Sequence, residues 1–270
     1  MTKEIGLVTF RDIYTGLKQF NIPPSSPIIV HTSLSAFGEV QGGAETLLGA
    51  IMAAFPAIIM PTFTYKTMVI PEMGPDENGI TYGAGKDLNL LAEIYSPDMP
   101  ADRLMGMAAE LLRSRPNVFR SNHPILSFSG INTSEILLQQ SLEDPLGIIG
   151  KLAAQNGWAI LAGVDHTVNI SIHYAEKSIH RPQFIRWALT KNGAVQCPSF
   201  PGCSDGFQQG TGLLDSITCK VKVGDAIIQA LPLQRMIEKL AGFMVRNPLA
   251  LLCERKDCER CNTVRRLVEK

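Results

Sequence analysis

Two short runs of unbroken apolar residues constrain this chain more than any other feature. Ile28-Ile29-Val30 and Ala57 to Met60 show no polar alternation, the mark of strands buried on both faces. Pro23, Pro24 and Pro27 end the amphipathic helix pattern of Thr9 to Phe20, and Pro61 closes the second run. Between the runs come the loop His31-Thr32-Ser33-Leu34-Ser35, the pair Gly42-Gly43, and a segment of helical composition from Ala44 to Phe55. Strand, loop, helix and strand in that order predict a βαβ unit with parallel strands, hence an α/β fold.

Helices are expected over Met105 to Arg115, Ser134 to Gln140, Ile148 to Asn156 and Thr167 to Lys177, the last capped by Thr167 or Asn169. Ile125 to Ile131 and Trp158 to Val164 read as strands. Gln183 to Thr190 and Ala194 to Cys197 predict a hairpin across Asn192-Gly193. Asp225 to Leu240 is expected as a helix broken near Pro232. Residues 66–102 hold four prolines and four glycines and form an irregular excursion, either a binding loop or an ordinary surface insertion. No repeat or linker divides residues 1–270, so a single domain is expected.

Lys plus Arg and Asp plus Glu each total 25 in 270 residues, so the formal charge is zero and a basic nucleic-acid binder is not expected. The 45% hydrophobic and 19% charged content excludes a disordered chain. No run approaches about eighteen apolar residues, the length of a membrane span. Met1-Thr2-Lys3-Glu4 lacks the basic-then-apolar pattern of a signal peptide. The expected setting is cytoplasmic, with neither membrane nor nucleic acid as partner, and the six cysteines reduced.

Four elements carry candidate chemistry. The His31 to Ser35 loop, with Gly42-Gly43 before a helix, offers N–H groups and hydroxyls to an anion, though alone it is also an ordinary tight turn. It is neither a Walker A sequence nor G-x-G-x-x-G. His173-Tyr174-Ala175-Glu176 puts a carboxylate one helical turn from an imidazole, where it fixes the tautomer and frees the other nitrogen as a base. Solvated pairs with the same spacing are common. Arg120-Ser121-Asn122-His123-Pro124 joins a predicted helix to a predicted strand, and its histidine is structural or catalytic. Cys253-x4-Cys258-x2-Cys261 resembles half of a zinc knuckle, with Cys203 as a candidate fourth ligand; free thiols are the plainer reading. A metal-dependent hydrolase using His123, His166, His173 and His180 lacks a recognisable ligand spacing.

In order and spacing, the elements together resemble the aminoglycoside 3-N-acetyltransferase family, the antibiotic N-acetyltransferases. The match adds Met60-Pro61-Thr62-Phe63-Thr64, Asp144-Pro145-Leu146-Gly147, Leu161-Ala162-Gly163-Val164 and Gly202-Cys203-Ser204-Asp205-Gly206-Phe207. The resemblance implies an α/β fold with a central mixed sheet flanked by helices, distinct from GNAT acetyltransferases. It implies acetyl-CoA as donor and direct transfer to an amine without an acyl-enzyme. His173 and Glu176 become the catalytic pair. His31, Thr32, Ser33 and Leu34 hold the CoA pyrophosphate or pantetheine, with Arg120, Ser121 and His123 beside the same site. The expected acceptor is a small cationic amine, the 3-amino group of an aminoglycoside, with antibiotic resistance as the role. The alternatives are a non-aminoglycoside amine or an inactive acyl-CoA-binding relative. A polycation calls for carboxylates, and the candidates are Glu72, Asp76, Glu77, Asp87, Glu93, Asp98 and Asp102.

Overall fold

Seven strands form the central sheet of the computed structural model, which describes residues 6–269. The reading of Met1-Thr2-Lys3-Glu4 lies outside the described residues. In chain order the strands are β1 (Ile28–Thr32), β2 (Ile58–Pro61), β3 (Met68–Val69), β4 (Phe119–Arg120), β5 (Phe128–Ile131), β6 (Trp158–Ala162), β7 (Phe184–Thr190), β8 (Gly193–Phe200), β9 (Cys219–Val223) and β10 (Ala226–Pro232). The main sheet runs β4-β5-β2-β1-β6-β10-β9. Its centre is parallel, β1 lying between β2 and β6, and its flanks are antiparallel. It is the mixed sheet that the resemblance implies. β3, β7 and β8 form a second, antiparallel sheet.

The helices are α1 (Phe10–Lys18), α2 (Gly43–Ala54), α3 (Lys86–Asn89), α4 (Met107–Arg113), α5 (Ser134–Leu137), α6 (Gly147–Ala154), α7 (Ser171–Ser178), α8 (Thr211–Leu214), α9 (Leu233–Arg246) and α10 (Glu259–Val268). α1 starts at a capping box, in which Thr9 Oγ1 accepts from the Asp12 N–H and Asp12 returns the bond to Thr9. Ile28, Val30 and Ile160 share one core with Leu17 of α1 and Leu48 of α2. Ile29 and Leu161 face the opposite core, with Leu152 of α6, Ile172 of α7 and Leu240 of α9. A strand with helices over both faces has no polar side to show, which is why these runs lack alternation.

Four expectations shift. Ala226 to Pro232 is a strand, and its helix begins only at Leu233. Ala226, Ile228 and Ala230 are buried while Ile227 is exposed, a period of two, and β10 uses it to pair with β6. The helix expected from Thr167 begins at Ser171; His166–Val168 is a separate 3-10 turn, and Asn169 Oδ1 accepts the Ser171 N–H at 3.2 Å. The hairpin loop is Lys191-Asn192, since Thr190 pairs with Gly193, whose φ is +98°. The strand expected from Ile125 starts at Phe128, because residues 123–126 turn around a histidine.

That histidine is His123. Its Nδ1 accepts the backbone N–H groups of Ile125 (3.1 Å) and Leu126 (2.9 Å), so its proton sits on Nε2, which is buried without a partner. Burial pushes its pKa down to about 4 and that of His31 to about 3. Both rings are neutral in the folded chain at neutral pH. Their depressed values fix the sign: as pH falls from 6.5 toward 4 the unfolded chain takes up the protons first, so stability falls with pH. Between pH 7 and pH 5 each ring should remove up to about 2 kcal/mol, read from urea unfolding. A His31→Asn chain should show a shallower dependence; an unchanged one would mean that the folded state protonates His31.

Candidate active site

The C-terminal ends of β1 and β2 open into a cavity of about 1000 Å³. Crevices beyond the carboxyl ends of parallel strands are the usual ligand sites of open α/β sheets. His31, Thr32, Ser33 and Leu34 form one wall, facing Arg103 to Gly106. Phe63, Tyr65 and Met68 follow from β2 into the excursion, and Asn169, Ile170 and His173 come from the start of α7. Arg186, Phe200 and Gly202 close the far side with Arg260 of α10. The loop after β1 is fixed by the Ser33 N–H to the Ala162 carbonyl (3.0 Å). Gly163 makes that approach possible: its φ is +73°, and a Cβ there would lie 3.1 Å from the Ser33 carbonyl oxygen and 2.6 Å from the Ala36 Cβ.

His173 Nδ1 lies 2.5 Å from Glu176 Oε2. Glu176 Oε1 accepts from Arg181 Nη1 at 2.9 Å, and Arg181 Nη2 donates to the carbonyls of Pro248 (2.8 Å) and Ala250 (2.9 Å). All three side chains are buried, with residue exposures of 4%, 3% and 7% for His173, Glu176 and Arg181. Burial pushes the Glu176 carboxyl up, but the charges and hydrogen bonds of His173 and Arg181 outweigh it and hold the pKa below the ordinary carboxylate value. The carboxylate stays ionised and keeps the Nδ1 proton. The His173 Nε2 has no hydrogen-bond partner among the described residues, and the ring lines the cavity, edge-on to Phe207 with centroids 4.6 Å apart.

The fold brings Arg181 back by a Schellman turn. α7 ends at Ser178, and His180, just past the Ile179 cap, has φ +59°; the His180 N–H bonds the Lys177 carbonyl and the Arg181 N–H bonds the Glu176 carbonyl, each at 3.0 Å. Sequence reasoning missed Arg181, and its only sequence signal is its place five residues beyond Glu176 beside Pro182.

The structure brings His31, Thr32, Ser33, Leu34 and His173 to the cavity and sets Glu176 directly behind the ring. Arg120, Ser121 and His123 do not line it. The Arg120 guanidinium is spent on the carbonyls of Thr62 (2.8 Å), Pro97 (2.9 Å) and Met99 and on Ser127 Oγ (3.1 Å). Ser121 Oγ accepts the Phe128 N–H at 2.8 Å. These bonds staple the excursion to β2 and β5. Nor does any of the seven excursion acids line the cavity.

Cys203, Cys253, Cys258 and Cys261 are all buried, with their Sγ atoms within 4.8 Å of one another. A tetrahedral zinc with Zn–S near ~2.3 Å requires S···S spacings of about 3.8 Å, so the set fits zinc with a small contraction. The four histidines considered as a metal set do not converge; these cysteines are the only such group among the described residues.

The family model for aminoglycoside 3-N-acetyltransferase matches residues 29–244. The SPbeta prophage-derived aminoglycoside N(3')-acetyltransferase-like protein YokD of Bacillus subtilis (strain 168) is 32% identical over 183 residues, 63% of this chain and 65% of the relative. Aminoglycoside N(3)-acetyltransferase IX of Micromonospora chalcea is 28% identical over 182 residues, 63% and 62% of the two chains. The chain thus spans less than two thirds of these relatives' length. The apoenzyme of aminoglycoside acetyltransferase AAC(3)-IVa superimposes with a TM-score of 0.78 at 21% identity, covering 97% of this chain and 98% of that one. A variant of that enzyme in complex with gentamicin gives 0.77 at 20% identity, covering 98% and 99%. The binary complex of AAC-IIIb with CoASH gives 0.70 at 17% identity, covering 88% and 97%. At these identities the solved structures speak for the fold, and the family model speaks for kinship across most of the sequence: the chain belongs to the aminoglycoside 3-N-acetyltransferase family.

Proposed function

We propose that this chain transfers the acetyl group of acetyl-CoA directly to a primary amine, with His173 as the base. One observation carries the reading: an imidazole on the cavity wall whose Nδ1 is locked to an ionised, buried carboxylate while Nε2 has no partner. Only an unprotonated amine attacks a thioester. Nε2 takes the proton as the amine nitrogen bonds to the thioester carbon, and Glu176 stabilises the imidazolium that forms. The tetrahedral adduct collapses, the C–S bond breaks, and the CoA thiolate takes the proton back from Nε2. Covalent catalysis is not needed, because the amine is itself the nucleophile.

The Thr32 to Leu34 loop is the donor site in this reading, at the end of a parallel strand beside Arg103. The relative solved with CoASH supports the donor. A cytoplasmic setting suits a CoA thioester and free thiols; no helix among the described residues is long and apolar enough to cross a membrane. The relatives' names and the gentamicin complex make an aminoglycoside amine the first acceptor to try, with resistance as the role. A second reading, a non-aminoglycoside amine, is favoured by a cavity wall without carboxylates.

Free CoA thiol, followed with acetyl-CoA and a panel of amines that includes gentamicin, tests the reaction. His173→Ala should lower kcat by about 10²–10⁴-fold with little change in acetyl-CoA affinity. Glu176→Gln should lower it at least about tenfold, since the amide no longer stabilises the imidazolium. Full turnover by His173→Ala would overturn the assignment.

The four cysteines are inferred to hold a structural zinc ion, the metal suited to a closed tetrathiolate set. Elemental analysis should find about one zinc per chain. Cys258→Ser should lose it and melt lower by about 5–10 °C, as expected for a loss of a few kcal/mol. A protein purified without chelators that carries no zinc would refute the assignment.

A further inference from the structure

Resting on the acetyl-transfer reading, we propose that the acceptor amine bears an anionic group, a carboxylate or phosphate on an apolar body, held by Arg260 beside Arg186. The charged residues that line the cavity are Arg103, Arg186 and Arg260, with the histidines His31 and His173; no aspartate or glutamate joins them among the described residues. The nearby acids are engaged elsewhere. Glu93 pairs with Lys66 at 2.8 Å, Glu77 with Arg266 at 2.9 Å and Asp205 with Arg255 at 3.3 Å. Asp102 caps the Leu104 N–H, and Glu259 accepts from Thr81.

Arg186 is a buried cation with no carboxylate partner. Its guanidinium donates to the carbonyls of Asn78 (3.1 Å), Ile185 (2.7 Å) and Gly79 (3.2 Å) and lies 5.4 and 5.5 Å from the ring centres of Phe184 and Phe200. Burial and the neighbouring Arg260 lower its pKa only to about 10, so it stays charged at neutral pH. Arg260 spends one donor on the Gly202 carbonyl, at 2.8 Å, and its Nε and Nη2 have no partner among the described residues. Neither guanidinium makes an ion pair, and Glu259 acts on Arg186 only at longer range; two such neighbouring cations on the wall of a partly apolar cavity attract an anion and repel a polycation. A zinc tetrathiolate behind the wall would carry a charge of −2, which Arg260 and Arg265 match; Arg255 is already paired with Asp205, and Arg186 is left over.

The donor's phosphates are a less suitable occupant. Arg103 stands by the Thr32 loop, where Gly106 approaches the Thr32 carbonyl, whereas Arg186 and Arg260 stand with the second sheet and the cysteine cluster. The walls near the pair are Tyr65, Met68 and Phe200, which suit an apolar body.

Three amines that differ only in the para substituent of benzylamine test this: 4-(aminomethyl)benzoate, benzylamine itself, and 1,4-bis(aminomethyl)benzene, with gentamicin alongside. Acetyl-CoA-dependent thiol release should give the benzoate a kcat/KM about tenfold or more above the other two, through KM. Arg260→Met should bring the benzoate-to-benzylamine ratio toward one with the KM for acetyl-CoA unchanged, and Arg260→Lys should keep most of the preference. Equal rates across the series, preference for the diamine or gentamicin, or an Arg260→Met effect confined to acetyl-CoA would overturn the proposal and leave acetyl transfer standing. Thiol release with none of the amines would overturn both. The wild-type series decides the charge preference even if a variant fails to fold.

Discussion

A carboxylate with 3% exposure in an apolar interior is costly unless it is fully paired, and Glu176 is paired on both oxygens. The site hangs on that pairing. Arg181 holds the negative charge in place, the charge holds the Nδ1 proton of His173, and the proton dictates which nitrogen meets the cavity. Arg181 is in turn held by two carbonyls of the segment after α9. A pair built this way contributes orientation more than net stability, since breaking it strands a buried charge.

The sheet supplies the rest of the geometry. Parallel strands end together, so the residues after β1, β2 and β6 share one rim without any local sequence relation. The second sheet and α10 close the opposite side with side chains of different character, aromatic and cationic. The Thr32 to Leu34 wall continues a strand of the central sheet, whereas Arg186, Phe200 and Arg260 come from the second sheet and α10.

Legibility in the sequence followed physics. β1, β2 and β6 were readable because burial on both faces leaves unbroken apolar runs, and His173 with Glu176 because helical spacing alone brings them together. β10 was misread because its period of two is short and ends at a proline that also starts α9. β9 alternates, but over only five residues, too short a run to stand out, and α10 escaped because its residues are largely polar or charged. Arg120, Ser121 and His123 have the atoms of a binding site, yet the backbone takes those atoms, and whether a polar side chain meets a carbonyl or a ligand is decided by tertiary structure. The excursion acids looked like an acceptor surface for the same reason: composition counts charges but does not aim them.

The cavity walls run from Val30 to Arg260, so almost the whole chain lies between the first and last residues that complete it. Contacts of such separation form late, after the loop-closure entropy of the intervening chain has been met. On a ribosome Thr32 to Leu34, His173 and Glu176 emerge well before α10, while Pro248 and Ala250, which hold Arg181, emerge only shortly ahead of it. The wall that Arg260 closes is therefore the last part of the cavity to be completed, and the buried His173–Glu176–Arg181 set gains its final anchors only just before it.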